Sequence, residues 1–191
     1  RRPATGLSKI RIIGGDWRGR RLEIADRPGL RPTPDRVRET LFNWLEHLWQ
    51  GQFNDKQALD LFAGSGALGF EAASRGVAHV QMVEMQAKAV ASLRKLRDKL
   101  AAKNVRIHAG DAKSTLKRLD NTRFDLIFLD PPFHQQWFPK LLDAVLPLLN
   151  SDGLVYAESE SPLIAPESYI ALRQGRAGAV HYHLLQRREI L

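Results

Sequence analysis

The chain has 191 residues, of which 43% are hydrophobic and 26% are charged, and it contains no cysteine. This length favours one main domain, and the lack of cysteine excludes disulfides, thiolate catalysis and cysteine-ligated zinc. No apolar run approaches the roughly 20 residues of a spanning helix and no secretory signal pattern opens the chain, and the lack of cysteine leads us to expect a cytoplasmic protein.

Most of the net charge of +8 lies near the start of the sequence. Residues 1–40 contain eleven Lys or Arg residues against five Asp or Glu residues. The stretch Arg11–Ile24 predicts two short strands around a glycine-rich turn, so residues 1–30 are expected to form a basic tail and β-hairpin. A basic segment of this kind suits a polyanionic partner, since each cation that neutralises a phosphate releases counterions. The alternative is a solvated charged surface.

A helix is predicted to follow the basic segment. Thr33, Pro34 and Asp35 offer an N-cap, a first-turn proline and an acid at a helix N-terminus. Apolar residues then recur at helical spacing and indicate core packing: Val37, Leu41, Trp44, Leu45 and Leu48.

From Lys56 onward, short apolar runs alternate with segments of helical period, which is typical of a parallel sheet covered by helices. The predicted strands are Ala58–Phe62, Ala78–Glu84, Val105–His108, Phe124–Asp130, Gly153–Glu158, Tyr169–Leu172 and Val180–Gln186. The predicted helices are Ala67–Ser74, Gln86–Lys103, Ala112–Leu119, Gln135–Leu149 and Pro162–Glu167. Only Gly175–Gly178 separate the last two strands, so a hairpin with one antiparallel strand is expected.

The first sheet strand joins its helix through a glycine-rich turn, Asp60–Gly69. Glycine lets the backbone turn sharply and approach a ligand, and Glu84 ends the next strand, where a carboxylate can accept hydrogen bonds from ribose hydroxyls. These two features indicate a nucleoside-binding α/β fold without choosing the cofactor, because the glycines also satisfy the loose dinucleotide fingerprint. Asp111 ends the third strand and is placed either to accept from an adenine amine or to cap the following helix.

Asp130, Pro131, Pro132 and Phe133 follow the apolar strand directly. Two consecutive prolines cannot donate backbone hydrogen bonds, so this tip projects carbonyl oxygens from a stiff turn. An exocyclic base amine is a poor nucleophile because its lone pair is delocalised into the ring. The Asp130 carboxylate and the Pro131 carbonyl are placed to accept its two hydrogens, and Phe133 is placed to stack on the flipped base. A rigid strand-to-helix turn is the alternative interpretation.

The order of these motifs resembles that of class I S-adenosylmethionine-dependent methyltransferases, and the Asp130–Phe133 tip resembles the form found in amino-group methylases. Arg31–Asn43 is similar to the signature of the bacterial 16S rRNA guanine-N2 methyltransferase family RsmD, and the resemblance covers nearly the whole chain. It implies a Rossmann-like α/β fold with a seven-stranded, mostly parallel sheet, one antiparallel strand, helices on both faces and a small N-terminal hairpin that helps hold RNA. Residues 31–191 would form the methyltransferase domain.

The resemblance also implies the partners and the site. The cofactor would be S-adenosylmethionine, and the substrate would be a guanine N2 amine, of the guanine(966)-N(2) type, in 16S rRNA of the small ribosomal subunit or its assembly intermediate. Predicted cofactor-binding residues are Thr33, Asp60, Phe62, Gly64, Ser65, Gly66, Glu84, Met85, Asp111 and Ala112, and predicted RNA-binding residues are Arg11, Arg18, Arg20, Arg21, Arg31, Arg36 and Arg38. Arg36 and Arg38 are placed to meet either the cofactor carboxylate or an RNA phosphate.

Other functions stay open from the sequence alone. The same tetrapeptide serves methyltransferases that act on adenine N6 or on protein glutamine, the glycine turn also fits a nicotinamide-dependent oxidoreductase, and the charge fits a non-catalytic RNA-binding module. The histidines do not form metal-ligand spacings, so no metal is expected. We also expect a monomer and no membrane association.

Overall fold

The computed structural model describes residues 8–24 and 32–189, so the predicted RNA-binding residue Arg31 lies outside the described residues. The nine strands of these ranges are β1 Ser8–Arg11, β2 Arg21–Ile24, β3 Gln57–Asp60, β4 His79–Glu84, β5 Val105–Ala109, β6 Phe124–Leu129, β7 Leu149–Ser159, β8 Tyr169–Ala177 and β9 Val180–Arg187. The α-helices are α1 Asp35–Leu48, α2 Ala67–Ser74, α3 Ala87–Leu100, α4 Ala112–Arg118 and α5 Lys140–Val145, and a 3₁₀ helix, Leu146–Leu148, follows α5.

Strands β3 to β9 form one seven-stranded sheet in the order β5-β4-β3-β6-β7-β9-β8. The pairs from β5 to β7 are parallel, and β9 runs antiparallel to both of its neighbours. The expected mostly parallel sheet with one reversed strand is therefore confirmed. Strand β3 has β4 on one side and β6 on the other, so the direction in which successive strands are added to the sheet reverses at β3. Ligands of open α/β sheets bind at such a switch point.

Both faces of the sheet are covered by apolar side chains. Along β6, Leu126 and Phe128 pack with α1, α2 and α3, whereas Ile127 and Leu129 pack on the opposite face with α5. Successive side chains of a strand point to opposite faces, so a strand buried on both sides has a continuous apolar sequence. This is why Phe124–Leu129 lacks polar alternation.

The N-terminal hairpin of β1 and β2 shares the main core. Its strands pair antiparallel, with Ile10 opposite Leu22, and both side chains are buried in the cluster that contains α1, α2 and α3. Glu71 of α2, which is fully buried, accepts hydrogen bonds from the backbone N–H groups of Ile13 and Gly14, both at 3.0 Å. The hairpin is thus held to the sheet domain by apolar packing and by one buried carboxylate.

Three predicted elements differ from the structure. Residues 162–167 form no helix, because six residues with two prolines are too short to nucleate one and the Leu163 N–H bonds to His183 Nε2 at 3.1 Å instead. The helix predicted at Gln135–Leu149 begins only at Lys140, since Pro139 precedes it and the His134 backbone is left-handed with φ of 64°. Strand β8 extends through the predicted connection to Ala177, and the hairpin turn contains only Gly178 and Ala179.

The start of α1 also differs from the prediction. Pro34 occupies the N-cap position, no side chain caps the helix, and the Thr33 hydroxyl bonds elsewhere. Across residues 8–24 and 32–189, none of the helices is both long and apolar enough to cross a bilayer.

Candidate active site at the carboxyl edge of the sheet

The carboxyl ends of the parallel strands bring four acidic side chains to one edge of the sheet, which we call the carboxyl edge. Asp60 ends β3, Glu84 ends β4, Asp130 follows β6, and Glu158 lies near the end of β7. The register of the strands aligns these ends, because Asp60 pairs with Met82 and Phe128, and Leu129 pairs with Ala157. The structure therefore brings Asp60, Glu84 and Asp130 to one edge of the sheet, and their roles in a site stay predictions.

The glycine-rich turn leaves β3 at this edge. Gly64 and Gly66 have φ values of 55° and 85°, in the left-handed region that glycine adopts without strain. A Cβ on Gly66 would lie 2.6 Å from the Phe70 ring and 2.7 Å from a Leu93 methyl, so only glycine lets α2 begin so close to α3. Ser65 is buried, and half-buried Phe62 contacts Trp137 edge-on at 5.0 Å between ring centroids.

Asp60 is a carboxyl group buried at the start of the turn. Its Oδ2 accepts the Gly69 N–H at 3.2 Å, whereas its buried Oδ1 has no hydrogen-bond partner among the described residues. Burial raises the pKa of Asp60 to about 7, and the nearby carboxylates of Glu84 and Glu158 act in the same direction, against the hydrogen bond from Gly69. The protonated form of this side chain is therefore favoured by its burial.

Glu84 and Met85 end β4 beside the turn. The Glu84 carboxylate accepts weak hydrogen bonds from the N–H groups of Gly64 at 3.3 Å and of Gln86 at 3.4 Å. A carboxylate has about four lone-pair sites, so Glu84 keeps acceptor capacity for a ligand hydroxyl. Met85 is 68% exposed, and this is an apolar surface next to a carboxylate.

Asp111 caps helix α4. Its two carboxylate oxygens accept the Ser114 N–H at 2.9 Å and the Ser114 hydroxyl at 2.8 Å. These hydrogen bonds lower the pKa of Asp111 below its usual value. The helix-capping interpretation is thereby confirmed, whereas the cofactor contacts of Asp111 and of its buried neighbour Ala112 stay predictions.

The tip that follows β6 is partly open to solvent. Asp130 is half-buried, Pro131 is buried, Pro132 is exposed and Phe133 is 39% exposed. Burial raises the pKa of Asp130 well above its usual value, and Glu158 and Asp60 reinforce the shift through their negative charge. The tip lies at the carboxyl edge, with an acidic side chain next to an exposed ring.

Glu158 was missed by the sequence prediction. It is only 6% exposed, and its Oε1 accepts hydrogen bonds from the Tyr156 hydroxyl at 2.6 Å and from the Thr33 hydroxyl at 2.9 Å. The available signal was an acid at the end of an apolar strand, as at Asp60 and Glu84. Nothing local indicated that the Thr33 hydroxyl, 125 residues away in sequence, would contact it.

The predicted arginines divide into a buried one and several exposed ones. Arg38 is 1% exposed, and its guanidinium donates to the carbonyl oxygens of Thr33 at 3.1 Å and Arg11 at 2.9 Å and pairs with the carboxylates of Asp35 and Glu71. No surface of Arg38 is open to a phosphate. Of the predicted RNA-binding arginines that the structure describes, those with exposed side chains are Arg11, Arg18, Arg20, Arg21 and Arg36.

The exposed arginines differ in their partners. Arg11 pairs with Asp35 at 3.5 Å, so the end of β1 lies beside the first turn of α1. Arg18, Arg20, Arg21 and Arg36 form no ion pair with any residue of the described ranges. Those ranges also contain no group of three or more His, Asp or Glu side chains arranged to hold a metal ion.

Comparison with known proteins assigns the chain to a family. A family described as "Conserved hypothetical protein 95" matches residues 10–186. The chain is 44% identical to the ribosomal RNA small subunit methyltransferase D of Escherichia coli strain K12, over 96% of this chain and 92% of the relative. It is 39% identical to the Haemophilus influenzae protein of the same name, over 93% and 94% of the two chains.

A solved structure of the Escherichia coli protein yhhF superposes with a TM-score of 0.84 and 39% identity, covering 95% of this chain and 99% of that one. Both sequence and fold are therefore shared over almost the full length compared. The chain belongs to the family described as "Conserved hypothetical protein 95", which is the family of the bacterial ribosomal RNA small subunit methyltransferase D proteins.

Proposed function

We propose that this protein transfers a methyl group from S-adenosylmethionine to the exocyclic N2 amine of a guanine in 16S rRNA, within the small ribosomal subunit or its assembly intermediate in the cytoplasm. The observation that carries the proposal is the position of Asp130, which follows the strand paired with β3, next to the glycine turn and the strand end at Glu84. The names of the relatives support an rRNA methyltransferase, and the choice of guanine N2 rests on the Arg31–Asn43 signature.

The side chains at the carboxyl edge fit this cofactor. Glu84 has acceptor capacity for ribose hydroxyls, Met85 presents apolar surface for an adenine ring, and Gly64 and Gly66 keep side chains away from the turn. The Oδ1 of Asp60 is a buried atom without a hydrogen-bond partner among the described residues, which suits contact with a donor on a bound ligand. We propose that these residues hold the cofactor together with Phe62, Ser65, Asp111, Ala112 and Thr33.

The residues of the tip act on the amine. When bound, the cofactor supplies a methyl group on a positively charged sulfur, which keeps the bonding electron pair when the methyl leaves. Asp130 and the Pro131 carbonyl accept the two amine hydrogens, which localises the nitrogen lone pair and stabilises the positive charge that develops there. Phe133 has an exposed ring on which a flipped base stacks, so it sets the distance between nitrogen and methyl donor. The nitrogen loses its proton after methylation has made it acidic.

The exposed arginines extend the site toward a large RNA. Arg36 lies on the first turn of α1, which begins two residues after Thr33, and Arg11 and Arg21 face each other on the paired hairpin strands. We propose that Arg11, Arg18, Arg20, Arg21, Arg31 and Arg36 bind phosphates, and that Arg38 instead fixes the hairpin to α1. We propose a monomer without a metal requirement.

The first experiment measures methyl transfer and cofactor binding in the same variant. With undermethylated 30S particles and labelled S-adenosylmethionine, we expect Asp130→Ala to lower kcat by about 100-fold or more, as removal of a preorganised acceptor does. Calorimetry is expected to show cofactor binding within about threefold of wild type. Asp152→Ala, which removes an exposed carboxylate from β7, serves as the control. Normal turnover by the Asp130 variant would contradict the proposed role of the tip.

The second experiment identifies the product. Mass spectrometry of nucleosides from treated particles is expected to show N2-methylguanosine. A methylated adenosine, or label in ribosomal protein rather than RNA, would retain the methyltransferase and reject the guanine substrate.

A further inference from the structure

Two carboxyl groups that lie side by side at the carboxyl edge carry an inference about Asp130, and this inference rests on the proposed amine methylation. Strands β6 and β7 are parallel with Leu129 opposite Ala157, so Asp130 and Glu158 occupy the next position of the same register. Neighbouring strands are about 4.8 Å apart, a separation that side chains bridge easily. This closeness agrees with the raised pKa of Asp130, to which the charge of Glu158 contributes, and neither ionised carboxylate has a hydrogen to donate. A hydrogen bond between them therefore needs one proton.

The contacts of Glu158 indicate which group carries that proton. Its Oε1 accepts hydrogen bonds from the Tyr156 and Thr33 hydroxyls, so Glu158 already serves as the acceptor of two donors. Asp130 has no such donors among the described residues, and it is surrounded by the acids Asp60 and Glu158. The proton consequently belongs on Asp130, which donates to Glu158. The pair then carries one negative charge instead of two.

We propose that Glu158 is a positioning residue for Asp130: it accepts a hydrogen bond from the Asp130 carboxyl and so turns the second Asp130 oxygen toward the substrate amine. As positive charge develops on the nitrogen, the shared proton moves from the Asp130 oxygen to Glu158, and Asp130 gains the negative charge that stabilises the amine. No proton enters or leaves the pair in this step. Proton transfer within a bound pair therefore supplies an ionised acceptor at the moment when charge forms.

The same contacts connect the pair to the N-terminal half of the chain. Arg38 Nε donates to the Thr33 carbonyl at 3.1 Å, and the Thr33 hydroxyl donates to Glu158. Arg38 of α1 thus holds Thr33, which lies two residues before the helix and contacts Glu158. This assigns a physical role to the threonine of the Arg31–Asn43 signature. The titratable groups around Asp130 are Asp60 on β3 and Glu158 and Tyr156 on β7, with Glu84 on β4 beyond Asp60.

Kinetics of two Glu158 variants test the proposal. Glu158→Gln keeps an acceptor for Tyr156 and Thr33, and its amide can donate to an ionised Asp130, whereas Glu158→Ala removes both functions. We expect the alanine variant to lose about 100-fold in kcat with KM for the RNA particle within about threefold, and the glutamine variant to stay within about tenfold of wild type. Thr33→Val and Tyr156→Phe are expected to fall between them. Asp152→Asn, an exposed change on the same strand, is the matched control.

The pH profile separates this role from simple packing. Loss of the shared proton leaves two adjacent negative charges, so kcat of the wild type is expected to decline on the alkaline side, and Glu158→Gln is expected to lack this decline. A glutamine variant as inactive as the alanine variant, or an alanine variant with wild-type kcat and pH profile, would overturn the proposal.

A spectroscopic measurement does not depend on activity. The infrared difference between wild type and Asp130→Asn at about pH 8, above the pKa of about 7 that burial gives to Asp60, is expected to show the carbonyl band of a protonated carboxyl. The same difference taken in the Glu158→Gln background should lack that band. Its absence from the wild-type difference would overturn the shared proton even if RNA is methylated. If the wild-type difference shows the carbonyl band but the protein methylates no RNA, the shared proton is supported and the proposed function is rejected.

Discussion

Asp60 at the end of β3 and Asp111 after β5 differ in charge because their surroundings differ. Asp111 is exposed and receives two hydrogen bonds from Ser114, so the pKa of this carboxyl is lowered and it is ionised at neutral pH. Asp60 is buried, one of its oxygens has no partner within residues 8–24 and 32–189, and its pKa is raised to about 7. The burial of a carboxyl group and the number of hydrogen bonds donated to it therefore decide whether it is an anion that can accept a further hydrogen bond. The residue type alone does not decide this.

Replacement of Asp60 by Asn is expected to flatten the pH dependence of stability. The folded-state pKa of Asp60 is raised from 3.8 to about 7, so its protonated form stabilises the fold below about pH 4, and this contribution is lost as pH rises to about 7. At about 1.4 kcal/mol per pKa unit the loss is on the order of 4 kcal/mol. Urea unfolding between about pH 4 and pH 8, without cofactor, should show a smaller fall for Asp60→Asn than for wild type. Parallel curves for the two proteins would contradict this assignment.

Helix α2 connects the hairpin to the sheet through one buried side chain. All eight residues from Ala67 to Ser74 are buried, and Glu71 is the acidic residue among them. Its carboxylate pairs with Arg75 at 3.0 Å and with Arg38 at 3.5 Å, in addition to the two hairpin N–H groups. A buried charge with this many partners stabilises the fold only when all of the partners are present, because removal of one member leaves the others unpaired.

We therefore expect Glu71→Gln to lower the free energy of unfolding by about 3 kcal/mol and to increase hydrogen exchange at the Ile13 and Gly14 amides. Denaturant unfolding and exchange measured by NMR would check both effects. The control is Glu39→Gln on the exposed face of α1, for which a change within about 0.5 kcal/mol is expected. Equal stability of the two variants would show that the carboxylate does not hold the hairpin.

At the scale of the whole molecule, the positive charge is unevenly distributed. The first 40 residues hold most of the net charge of +8, and four of their described arginines are exposed without an ion pair to a described residue. Acidic side chains gather at the carboxyl edge. We propose that the basic segment binds the phosphates of the RNA, because the acidic edge would repel them.

The triple change of Arg20, Arg21 and Arg36 to Gln is expected to weaken binding to RNA and to lower the slope of log K against log salt by up to about 2, at roughly 0.7 per lost phosphate contact. Binding of S-adenosylmethionine should not change. Fluorescence titrations at several salt concentrations would measure the slope. Neutralising Arg94, Lys95 and Lys99, which are exposed on α3, removes equal charge from another surface and should have a smaller effect. An equal effect of both triple variants would indicate attraction by net charge alone.

Patterns within a few residues of each other were sufficient for most of the architecture. The alternation from Lys56 onward predicted the seven-stranded sheet, and Gly64, Glu84 and Asp130 were each recognised from a strand end and its following turn. The predictions of secondary structure were wrong where the local sequence signals were weak. Residues 162–167 and the first turn of the helix predicted at Gln135 have too few residues between prolines to form a helix by themselves.

The sequence by itself determined the order of the strands and helices along the chain and the residue types at each strand end. It could do so because hydrophobic period and turn chemistry are local properties. Only the tertiary structure decided that Thr33 contacts Glu158, that Arg38 is buried against Glu71, and that Glu158 lies beside Asp130. These contacts join residues up to 125 positions apart, and their charge states depend on burial. Burial arises from the packing of the whole chain, which no local pattern specifies.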